Sequence, residues 1–120
     1  MASVLVVDDA AFMRLTIRQM LEAHGHSVAA EAANGVEAVR KYKEAKPDVV
    51  LLDITMPEMD GLATLKYLKE MDSDARIIIC TALGHQEKGA QAIENGASDF
   101  IVKPFKEERL MSALDKVLSM

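Results

Sequence analysis

The chain has no tryptophan, a single cysteine, and aromatic residues at only 4% of its 120 positions. The lone cysteine, Cys80, excludes an internal disulfide and a cysteine-based zinc site. It stands in the apolar run Ile77–Cys80, which marks a buried, inert thiol rather than a nucleophile. No apolar run approaches the ~20 residues needed to span a bilayer, and Met1–Asp9 carries no basic leader, so a cytoplasmic protein with no membrane attachment is expected. Basic charge is also in short supply. With 14 Lys and Arg against 19 Asp and Glu the net charge is −5, which argues against a nucleic-acid backbone as partner. Linkers, low-complexity tracts and internal repeats are missing as well. One domain over residues 1–120 is expected, able to bury roughly two-thirds of its unfolded surface and leaving no separate output domain.

What is present is organised around Val49–Gly61, VVLLDITMPEMDG. Val49 to Leu52 read as a short strand buried on both faces, running directly into Asp53. Met56-Pro57 then stops the regular backbone, because proline lacks an N–H and pushes the residue before it away from helical angles. Asp60-Gly61 reads as a turn and helix start. A carboxylate at the carboxyl end of a buried strand lies where open α/β sheets place their ligand sites.

Similar units fill the rest of the chain. Val4–Val7 is an apolar run ending in Asp8-Asp9. The helix predicted after it places Met13, Thr16, Ile17, Met20, Leu21 and His24 on one face of a 3.6-residue period, with Gly25 as its stop. Ser27–Ala33 is a weaker strand suited to a sheet edge. Asn34 caps a helix to about Ala45 that buries Ala38, Val39 and Tyr42, and Pro47 closes it. A helix over Gly61–Met71 turns Leu62, Leu65 and Leu68 inward. Ala75–Cys80 is a strongly apolar strand with Thr81 at its end. His85–Asn95 reads as a poor helix, since Gly89 in its interior costs about 1 kcal/mol relative to alanine and its apolar side is mostly alanine plus Ile93. Such a segment is expected to open at low cost. Ser98–Val102 is the last strand and leads into Lys103-Pro104. The closing helix repeats Leu110, Ala113, Leu114, Val117 and Leu118 at helical spacing.

Strand and helix thus alternate five times, which predicts an α/β fold with a five-stranded parallel sheet and five helices on both faces. Parallel strands bring Asp8-Asp9, Asp53, Thr81 and Lys103 to one edge. Carboxylates brought to about 4 Å repel by about 4 kcal/mol per pair at an effective dielectric near 20, so the cluster takes up a proton or binds a cation. Oxygen donors on loops favour a hard divalent ion, and a small open site suits Mg²⁺, with Mn²⁺ able to substitute. A carboxylate nucleophile, a cation, the Lys103 ammonium and the Thr81 hydroxyl together meet the needs of phosphoryl transfer.

Four segments then carry a resemblance: VVDDAAFMR (Val6–Arg14), DITMPEMDG (Asp53–Gly61), TALG (Thr81–Gly84) and GASDFIVKPF (Gly96–Phe105). In this order and spacing the chain resembles the receiver domain of two-component response regulators, specifically the single-domain chemotaxis type, from Val4 to Leu118. The resemblance implies the flavodoxin-like strand order 2-1-3-4-5. It implies that Asp53 accepts a phosphoryl group from a phosphohistidine on a histidine kinase. It also implies that Asp9, Asp53 and the Thr55 carbonyl bind Mg²⁺ directly, with Asp8 acting through water. Lys103 would pair with Asp53 and then with its phosphoryl group. Thr81, with Ala82 beside it, would bind that group, and Phe100 would move into the space Thr81 leaves. The Lys103–Pro104 bond would be cis. The face of the fourth helix, last strand and last helix would then bind a flagellar motor switch protein or another target. A partner phosphatase and a monomeric state are further implications.

Competing readings are weaker at named positions. A haloacid-dehalogenase-type phosphatase needs an acid two residues after its nucleophile, where this chain has Thr55. A flavodoxin-like flavin binder needs a hydroxyl-rich phosphate loop where Asp8-Asp9 stand. A stand-alone receiver in a relay unconnected to motility differs little in sequence. His24-Gly25-His26 straddle a helix stop away from the acidic edge and read as surface residues. Thr55 and Leu83 flank the path of attacking water in the family, and neither has a carboxylate or amide to position it. Slow self-dephosphorylation is therefore expected.

Overall fold

Strands and helices alternate along the chain as β1 (Ser3–Val7), α1 (Ala11–Ala23), β2 (Ser27–Ala32), α2 (Gly35–Ala45), β3 (Val49–Asp53), α3 (Gly61–Met71), β4 (Ile77–Ala82), α4 (Gln86–Glu94), β5 (Asp99–Lys103) and α5 (Glu107–Leu118). These elements are seen in a computed structural model that describes residues 1–55 and 61–120. The Met56-Pro57 stop and the Asp60 turn lie outside the described residues. The strands form one parallel sheet in the order β2-β1-β3-β4-β5. No helix among the described residues is long and apolar enough to cross a membrane.

The continuous apolar runs follow from burial on both faces of this sheet. Leu5, Val7, Val50, Leu52, Ile77 and Ile79 point into a core closed by α2, α3 and α4. Val4, Val6, Val49, Leu51, Ile78 and Cys80 point the other way, into a core closed by α1 and α5. Burying one such leucine or isoleucine contributes about 2 kcal/mol, and every residue of β3 is buried. β2, with its small residues, lies at the edge opposite β5.

The helices meet the cores with the residues their spacing selects. Ile17 and Leu21 are buried on α1, and Leu110, Ala113, Leu114 and Val117 on α5. Leu65 and Leu68 are buried on α3, while Leu62 lies only at its margin. Asn34 accepts from the Glu37 N–H at 2.9 Å, and Glu37 reaches back to accept from Ala33 N–H at 3.0 Å. This reciprocal cap is worth about 1 kcal/mol. The Tyr42 hydroxyl donates to Asp72 at 2.8 Å and ties α2 to the end of α3. Burial, and then this bond, push the Tyr42 phenol up to about 12.

Two details differ from the sequence reading. β4 runs to Ala82, because its pairing with β5 continues through Thr81 opposite Val102 and Ala82 opposite Lys103. Thr81 is therefore inside the strand. On α4, Ile93 is 42% exposed, so the helix packs through Gly89 and Ala92 instead.

Gly61 opens α3 where no larger residue fits. A Cβ there would fall 2.2 Å from the Cα of Ile54, a backbone atom that cannot rotate aside. Gly61→Ala should lower stability by about 3 kcal/mol, the upper end of ordinary overpacking. The measurement is the urea midpoint at unchanged m-value, and a midpoint equal to the native one would contradict this packing.

Candidate functional site

The carboxyl ends of β1, β3 and β5 bring Asp8, Asp53 and Lys103 together. Side chains alternate along each strand, so all three follow residues of the α1/α5 core: Val6, Leu51 and Ile101. The Lys103 ammonium donates to Asp8 Oδ2 at 2.5 Å and to Asp53 Oδ2 at 3.1 Å. Asp8 and Asp53 are 2% and 3% exposed. Burial alone would draw the Lys103 ammonium down, but the hydrogen bond it donates to Asp8 and the charges of Asp53 and Asp8 together raise it. Lys103 is therefore a full cation held between two buried anions. The Lys103–Pro104 peptide bond beside it is cis.

The remaining oxygen of each carboxylate is held locally. Asp8 Oδ1 accepts from the Ala10 N–H at 2.9 Å. Asp53 Oδ1 accepts from the Thr55 N–H at 2.9 Å and from the Thr55 hydroxyl at 2.6 Å. Charge-assisted bonds of this kind are short and fix the carboxylate plane. Asp9, on the solvent side, completes a group in which Asp8, Asp9 and Asp53 each place a ligand oxygen within 4.8 Å of the others. No other group of this kind occurs among the described residues. Three carboxylates face one ammonium, and the donors are all hard oxygens with one open side. This set fits a small divalent cation, which Asp8, Asp9 and Asp53 would hold.

Thr81 stands next to Cys80, which pairs in register with Asp53. Its hydroxyl is buried with no hydrogen-bond partner among the described residues. An unsatisfied buried hydroxyl is costly and marks a place where an acceptor is missing. Ala82 is half-buried opposite Lys103 at the end of β5. Phe100 is half-buried on the α4 side of the sheet, away from the carboxylates. Cys80 is buried in the core closed by α1 and α5, and its burial holds the thiol far above its ordinary value, as its place in the sequence predicts.

The structure adds two supports that the motifs alone did not assign. The Arg14 guanidinium donates to the Asp8 carbonyl at 2.6 Å and to Glu31 at 3.1 Å, bracing the end of β1 against β2. Arg18, one turn on, binds the same Glu31 carboxylate at 2.7 Å. Its hydrogen bond is the main reason that carboxyl lies below the usual range. The only sequence signal was the four-residue spacing of the two arginines, which places them on one helix face. The second support is the Thr55 hydroxyl on Asp53; the resemblance implies a role only for the Thr55 carbonyl.

The response regulator receiver domain family model matches residues 4–115. The chain is 54% identical over 116 residues to the chemotaxis protein CheY of Bacillus subtilis, covering 97% of each chain. Among solved structures, the CheX–CheY–BeF3–Mg complex from Borrelia burgdorferi matches with a TM-score of 0.91 at 38% identity, over 96% of this chain and 87% of that one. NtrX from Brucella abortus matches with a TM-score of 0.92 at 32% identity, over 98% of this chain but only 27% of that longer one.

Removing the ammonium while keeping the side-chain length isolates its electrostatic role. Lys103→Met leaves Asp8 and Asp53 buried without their cation and should cost about 3 kcal/mol of stability in chelator. Millimolar Mg²⁺ should restore a larger share of stability to this variant than it adds to the native protein. Thermal unfolding with and without the ion measures both effects. An unchanged midpoint in chelator would show that Lys103 does not offset the two carboxylates.

Proposed function

The chain belongs to the response regulator receiver family, and we propose that it is a phosphoryl-accepting switch of a chemotaxis two-component system. The observation that supports this most is the setting of Asp53: a buried strand-end carboxylate beside Asp8 and Asp9, with Lys103 on its Oδ2.

In this reading an Asp53 oxygen attacks the phosphorus of a phosphohistidine on a histidine kinase. The P–N bond breaks, its electron pair stays on the imidazole nitrogen, and an acyl phosphate forms on Asp53. A bound Mg²⁺ would offset charge on the carboxylates and the phosphoryl oxygens. Asp8, Asp9, Asp53 and the Thr55 carbonyl are the residues that would hold it, Asp8 through water. Lys103 transfers part of its interaction from the carboxylates to a phosphoryl oxygen. Thr81 turns its unpartnered hydroxyl to the same group, Ala82 lines the approach, and Phe100 follows Thr81. The face of α4, β5 and α5 then binds a target such as a flagellar motor switch protein.

The chain would support only its own phosphorylation and slow dephosphorylation, and would not turn over a separate substrate. Thr55 and Leu83 flank the phosphoryl site in this reading. The Thr55 hydroxyl already donates to Asp53, and the Leu83 side chain, 71% exposed, has no group to orient water. A partner phosphatase would then end the signal. The solved CheY relative from Borrelia burgdorferi is a complex with CheX, which gives one precedent for a protein partner of a receiver of this kind.

Acetyl phosphate with Mg²⁺ should add one phosphoryl group to the native protein and none to Asp53→Asn, read by intact mass. Stoichiometric label on that variant would place the acceptor elsewhere. After removal of excess donor, the acyl phosphate on the native protein should persist for minutes. Loss within seconds would mean that something other than Thr55 and Leu83 positions water.

A further inference from the structure

The sheet face that carries Thr81 also carries Phe100. Ile77 and Ile79 point into the core beneath α3 and α4, and Thr81 follows two residues later on that face. In the parallel pairing Ile79 lies opposite Phe100 and Thr81 opposite Val102, so Phe100 is one diagonal step from Thr81. The backbone at Phe100 is held from outside this face. Its carbonyl accepts from Arg109 at 3.1 Å and its N–H donates to Asp99 at 2.8 Å. The ring is therefore the part free to change place.

Gly89 in α4 meets that ring. A Cβ at position 89 would lie 2.4 Å from Phe100 Cδ2, 2.7 Å from Cγ and 2.8 Å from Cε2. The ring occupies the volume a side chain would need and lies directly on the helix backbone. Helix propensity alone would favour alanine at this interior position. The glycine, read from sequence as a weakness of α4, is thus the floor of a socket shaped by one aromatic ring.

We propose that Gly89 is a positioning residue whose socket holds Phe100 in the resting arrangement and so sets how readily the site takes up a phosphoryl group. The proposal rests on the reading that Phe100 follows Thr81 when Asp53 is phosphorylated. Any contact made only in the resting arrangement must be given up when the phosphoryl group binds, and it weakens that binding by the same factor. A methyl group at position 89 removes the contact without touching Asp8, Asp9, Asp53, Thr81 or Lys103.

Beryllofluoride with Mg²⁺, a stable phosphoryl mimic, is the probe, followed by NMR of the Phe100 ring and the Thr81 methyl. Gly89→Ala should raise beryllofluoride affinity about fivefold or more, the usual lower bound for coupled sites. In a Phe100→Ala background the same substitution should change affinity by less than about twofold. Equal affinity for native and Gly89→Ala proteins, or an equal gain in both backgrounds, would overturn the proposal. The native protein supplies a test that needs no variant: contacts between the Phe100 ring protons and the Gly89 α-protons should vanish at saturating beryllofluoride. Their persistence while Thr81 shifts would overturn the socket and leave the phosphoryl-accepting reading intact. A native protein in which neither Thr81 nor Phe100 responds would overturn both.

Discussion

One ammonium group makes the carboxylate cluster tolerable. Asp8 and Asp53 are almost fully buried at the ends of neighbouring strands, and Lys103 reaches both from the far side of β4. Without it, two desolvated anions and the nearby Asp9 would repel across a region of low dielectric. The sheet order places β1 next to β3, and the length of a lysine side chain bridges the strand between β3 and β5. Arg14 on the Asp8 carbonyl and Thr55 on Asp53 Oδ1 then fix the two carboxylates in place.

A structural strategy follows from this dependence. The site stores unfavourable electrostatics in a framework stabilised elsewhere, by two apolar cores on either side of the sheet. The cores tolerate the strain because every strand residue of β3, including Asp53, is packed on all sides. A cation can then bind by relieving a repulsion already present. That is preorganisation achieved through charge rather than through shape.

Much of this was legible in the sequence because its signals are local. The runs Val4–Val7 and Val49–Leu52 announce strands covered on both faces, and the spacing of Leu110, Ala113, Leu114 and Val117 announces the α5 stripe. Parallel alternation then brings the strand ends to one edge without any knowledge of tertiary contacts. What could not be read depends on distant partners. The resemblance implies that Lys103 pairs with Asp53, yet its shorter contact is with Asp8, 95 positions away. The apolar run ends at Cys80, whereas β4 continues through Thr81 and Ala82 because both pair with β5. Gly89 looked like a defect because propensity counts only the helix itself, whereas the reason for glycine is a ring on another strand.

The alternation of side chains has a consequence for how such a molecule can change. Asp8, Asp53 and Lys103 project toward α1 and α5, while Thr81 and Phe100 project toward α4. The sheet is a partition with reactive groups on one side and the aromatic ring on the other. Thr81, at the rim, is the described residue that stands between the two compartments. The two sides are distinct compartments that meet at one described rim position, so their coupling can be tuned by the packing around that rim while the acid cluster itself stays as it is.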